Sequence, residues 1–160
     1  MRRLCVLVLL VLLSGCGSGA TSSDSGQGEV VSQDQLALQV SDLYDQIDLA
    51  FTTSFAAGID FIIANNYPGA FDPTALQACA LAKQPYLGDQ ITAGEPRLET
   101  LTEVPNWVGR ESSAADWLLA GKTISGKVYE FDLEIDLEII KAQVVQADNQ
   151  VFLLYGWCDD

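Results

Sequence analysis

An unbroken apolar run, a helical stripe and a strict two-residue alternation follow one another along this chain, and each predicts a different kind of structure. The run is Leu4 to Leu13. It falls short of the roughly 18 apolar residues that a membrane-crossing helix needs. The stripe consists of Leu36, Val40, Leu43, Ile47, Phe51 and Phe55, at three- and four-residue intervals, and predicts a helix over about residues 33 to 57. Ser32 and Gln35 have capping-box spacing, and Val31 and Leu36 occupy the staple positions. Gly58 is expected to end or kink this helix. A second helical piece, Ile59 to Asn66, stops before Pro68, and Asp72-Pro73 caps a third helix over TALQACALA.

The alternation lies further on. Phe131, Leu133, Ile135, Leu137 and Ile139 interleave with Glu130, Asp132, Glu134, Asp136 and Glu138, which predicts a strand over 128–139 with one dry and one wet face. The parity slips at Ile139-Ile140, which marks a bulge or tight turn. A straight strand over 128–147 would be about 66 Å long, too long for a small domain, so the chain must fold back. Helical spacing of Leu133, Leu137, Ile140 and Val144 is the competing reading. The unbroken alternation and the β-branched residues favour a strand. Asp148-Asn149 reads as a hairpin turn, and the apolar VFLLYGW after it as a central strand buried on both faces. Residues 83–96 form a loop around Pro85, Gly88, Gly94 and Pro96, and 97–104 form a further strand. Residues 105–122 fit either a short helix capped at Ser113–Asp116 or a loop pinned by Trp107 and Trp117.

Helices followed by an antiparallel sheet give an α+β fold, with the N-terminal helices packed on a curved antiparallel sheet. This element order resembles the NTF2-like and cystatin-like domains. The resemblance implies a pocket between helices and sheet, served in the enzymes of that group by an Asp or Glu base and a Tyr donor. Asp60 and Asp116 are the available bases, and Tyr44, Tyr67, Tyr86, Tyr129 and Tyr155 the available donors. No motif singles out a pair, and packing is the simpler role for each tyrosine.

The first 16 residues, MRRLCVLVLLVLLSGC, carry the most specific signal. Arg2 and Arg3 precede the apolar run, and small residues follow it. Leu13-Ser14-Gly15-Cys16 resembles the lipobox of bacterial lipoproteins at every position. The resemblance implies attachment of diacylglycerol to the Cys16 sulfur and cleavage before Cys16. Residues 1–15 would then be a signal peptide, 16–32 a lipidated cysteine and flexible tether, and 33–160 a single domain. The protein would be held outside the cytoplasm, at the cell membrane or at an outer membrane where one exists. The alternative is a secretory signal with an incidental cysteine. One acyl chain binds a membrane only reversibly, whereas two hold it. Gly17 rather than Asp after the cysteine favours outer-membrane sorting.

Charge sharpens this picture. The chain has 8 Lys and Arg against 22 Asp and Glu, no histidine, and a net charge of −14. Loss of Arg2 and Arg3 with the leader would take it to −16. Phosphates would be repelled, which argues against nucleic-acid partners and against flat docking on anionic lipid. The Gly- and Ser-rich stretch 17–32 reaches about 20 Å as a flexible chain, beyond a Debye length of about 8 Å, so it would lift the acidic domain clear of the surface potential. The partners expected are the membrane, through the lipid, and an envelope protein or small ligand.

With Cys5 in the leader and Cys16 lipidated, Cys79 and Cys158 remain, and the oxidising compartment predicts a bond between them. Closing so long a loop is worth up to about 4.5 kcal/mol. Free thiols or a metal pair are the alternatives. A chain without histidine lacks Ser-His-Asp and Cys-His catalysis and the usual zinc ligands. No catalytic residues and no cofactor are therefore expected. The row Glu130, Asp132, Glu134, Asp136 and Glu138 stands out. Its roughly 6.6–6.8 Å spacing along a strand is too wide for one calcium ion without help from elsewhere. The row is either a cation or basic-partner face, or an ordinary solvated face partly neutralised by Arg97, Lys122, Lys127 or Lys141. Trp107, Trp117, Tyr155 and Trp157 either line a binding surface or pack the core.

Overall fold

The computed structural model describes residues 32–86, 91–109 and 118–154. They form three α-helices and a four-stranded antiparallel meander, the α+β class expected from the element order.

Helix α1 spans Gln33–Thr53 and is entered through a complete capping box. The Gln35 N–H donates to Ser32 Oγ at 3.2 Å, and the Ser32 N–H donates to Gln35 Oε1 at 3.0 Å. The break after α1 comes at Ser54, not at Gly58. Ser54 is extended (φ −171°, ψ 160°); it ends α1 and caps α2, Phe55–Asn65, by accepting the Ala57 N–H at 3.0 Å. A serine side chain that satisfies an orphan helix N–H can interrupt a helical stripe as well as a glycine does. Gly58 lies inside α2, buried against the Phe51 ring, and a Cβ there would collide with that ring. Its smallness lets the two helices fold tightly together. Asp72 caps α3, Pro73–Lys83, through the Thr74 and Ala75 N–H groups.

The strands are β1 (Glu95–Glu103), β2 (Lys127–Ile135), β3 (Glu138–Ala147) and β4 (Gln150–Leu153), hydrogen-bonded in the order β1-β2-β3-β4. Three expectations are corrected here. The long alternating strand folds back at Asp136-Leu137, before the parity slip at Ile139-Ile140. Both turn residues adopt positive φ, 49° and 72°. Leucine is a poor residue for that conformation, so the turn carries no sequence signal. β1 starts earlier than expected and includes Pro96, which an edge strand tolerates. β4 is an edge strand rather than a central one. Both of its faces are nevertheless used, and its outer edge meets the α2–α3 connection, where the Tyr67 N–H donates to the Leu153 carbonyl at 2.9 Å. The second turn, Asp148-Asn149, falls where expected, with φ of 50° and 62°.

The sheet has a core on each face. On the inner face, Leu36, Val40, Leu43, Tyr44 and Ile47 of α1 bury against Leu101, Phe131, Leu133, Ala142, Val144 and Leu153. Phe131 is fully buried, and Tyr44 meets it edge-on with ring centroids 5.7 Å apart. On the outer face, Phe71, Leu76 and Leu119 cover Val128, Val145 and Leu154. The 105–109 and 118–122 segments close over this second core. The Gly109 N–H donates to the Lys122 carbonyl and its carbonyl accepts the Gly121 N–H, both at 2.9 Å. A side chain at Gly109 would strike the Leu119 backbone. The segment Ser113–Asp116 lies outside the described residues. No helix among the described residues is long and apolar enough to cross a membrane.

Candidate functional site

The five alternating carboxylates do not form one row. Glu130, Asp132 and Glu134 share the outer face of β2, Asp136 sits in the turn, and Glu138 begins β3 opposite Ile135. The fold-back at Asp136-Leu137 divides the set.

Each of the three β2 carboxylates is already engaged. Glu130 accepts from Gln143 Nε2 at 3.0 Å, and Gln143 Oε1 accepts from Trp107 Nε1 at 3.1 Å. Asp132 pairs with Lys141 at 2.6 Å. Glu134 accepts from Arg97 Nε at 3.1 Å. The hydrogen bond to Asp132 and its charge raise the Lys141 pKa, and Glu134 does the same for Arg97. Lys127 pairs instead with Glu103 at 3.0 Å, whose hydrogen bond raises its pKa. The β2 carboxylates are half-buried and their partners more exposed, so water screens these pairs in part and each contributes modestly to stability. Among the described residues no three acidic or cysteine side chains converge closely enough to hold a metal ion.

Asp136 and Glu134 do share a second feature, which the sequence did not reveal. A cleft of about 770 Å³ opens between α1, the start of β1 and the tip of the β2–β3 hairpin. Ser41, Tyr44, Asp45 and Asp48 of α1 line one wall, and Glu95, Pro96, Leu98, Glu134, Asp136 and Leu137 line the other. Asp48 accepts the Ala93 N–H, which ties the strand entry to the helix. The aspartates of α1 are visible in the sequence off its apolar stripe, but their meeting with Glu95 and Asp136 depends on the hairpin geometry.

The tyrosines have structural settings. Tyr44 packs on Phe131. The Tyr67 hydroxyl bridges the Ser125 N–H and carbonyl at 3.1 and 3.0 Å. The Tyr129 hydroxyl donates to Gln146 Oε1 at 3.4 Å, and burial raises its pKa. Asp60 is exposed and accepts from Gln77. Tyr44 shares the open cleft with Asp45 and Asp48. The space between α1 and the sheet is filled by side chains. Asp116, Trp117, Tyr155, Trp157, Cys158, Cys16 and the Tyr86 side chain lie outside the described residues. Trp107 is half-buried against the outer core.

Cys79 on α3 is half-buried and disulfide-bonded. Its partner is not among the described residues.

No protein-family model, curated protein or solved structure matches this chain.

Proposed function

We propose that this chain is a lipid-anchored envelope protein whose α+β domain is a noncatalytic binding module on a flexible tether. The observation that carries the reading is Leu13-Ser14-Gly15-Cys16, placed directly after an apolar run too short to span a bilayer. The position of the first helix agrees with it. The capping box at Ser32 starts the packed domain as soon as the Gly- and Ser-rich stretch ends. A binding role is favoured over catalysis by the filled space between helix and sheet and by tyrosines committed to packing and to hydrogen bonds within the fold. An enzyme or small-molecule carrier of NTF2-like type would need an enclosed pocket there, and no observation favours one.

The Cys79 bond fits an oxidising compartment. We assign its partner as Cys158, since Cys5 falls in the leader and Cys16 takes the lipid.

The test is phase partitioning of the full chain expressed in a bacterial host. The wild-type protein is expected in the detergent phase, and Cys16→Ser is expected either unprocessed or in the aqueous phase. A Cys16→Ser protein that is processed and still partitions into detergent would contradict the reading.

A further inference from the structure

We draw no further inference here: the strongest candidate, the exposed apolar surface patch that Leu137, Ile139 and Ile140 form at the tip of the β2–β3 hairpin, carries nothing because nothing in the structure shows what covers it.

Discussion

The two faces of β2 are built from alternate residues of one nine-residue strand, yet they do different work. Tyr129, Phe131, Leu133 and Ile135 point toward α1, and Phe131 and Leu133 are buried there. Glu130, Asp132 and Glu134 point outward and are held by Gln143, Lys141 and Arg97. The inner face fixes how α1 sits, because a one-residue slip would place carboxylates in the core. The charged part of the outer face is held by half-buried polar pairs, while Val128 at its start is buried in the second core. Strict alternation thus specifies the fold through its apolar half, and its charged half is matched by Gln143, Lys141 and Arg97.

The contrast can be broken from either side. The largest effect is expected for Phe131→Ala, which removes a fully buried ring and its edge contact with Tyr44; about 3–5 kcal/mol of stability should be lost in denaturant unfolding. Next comes Cys79→Ser. α3 helps cover the apolar end of the outer face, and loss of its disulfide should cost about 2–5 kcal/mol. A peptide map of the intact protein should show Cys79 joined to Cys158. Leu137→Gly acts in the opposite direction and should stabilise by about 1 kcal/mol by relieving a left-handed leucine.

Smaller still are the effects of the outer-face pairs. Lys141→Met should shift the melting temperature less than any change above. Millimolar calcium should leave it unmoved, because the β2 carboxylates already have partners. Their pH response has a definite sign. Asp132 raises the Lys141 pKa above 10.5, Glu103 does the same for Lys127, and burial raises Tyr129 above 10.0. A group whose folded pKa is raised stabilises below its unfolded value and loses that contribution as pH rises through the folded one. Melting temperature should therefore fall as pH climbs beyond about 10. Tyr129→Phe should remove part of that fall.

These elements also show what a sequence discloses. The Ser32–Gln35 box, the Asp72-Pro73 cap and the α1 stripe were legible because each is a local hydrogen bond or a local period. The Asp148-Asn149 turn was legible because both residue types tolerate positive φ. The Asp136-Leu137 turn was not, since leucine gives no such signal and the alternation runs straight through it. Ser54 is a less conspicuous break than Gly58, because a serine inside a helical stripe is common, whereas the role of Gly58 is close packing against Phe51. The cleft was hidden for a different reason. Asp45, Glu95 and Asp136 are far apart in sequence, and only the meander and the placement of α1 bring them together.

The central claim is that this acidic domain is held at a membrane by lipid on Cys16. Mass spectrometry of the N-terminal peptide of the mature protein tests it most directly. The account predicts a peptide that begins at Cys16 and carries a thioether-linked diacylglycerol. A mature protein with an unmodified Cys16, or one that still begins at Met1, would contradict it.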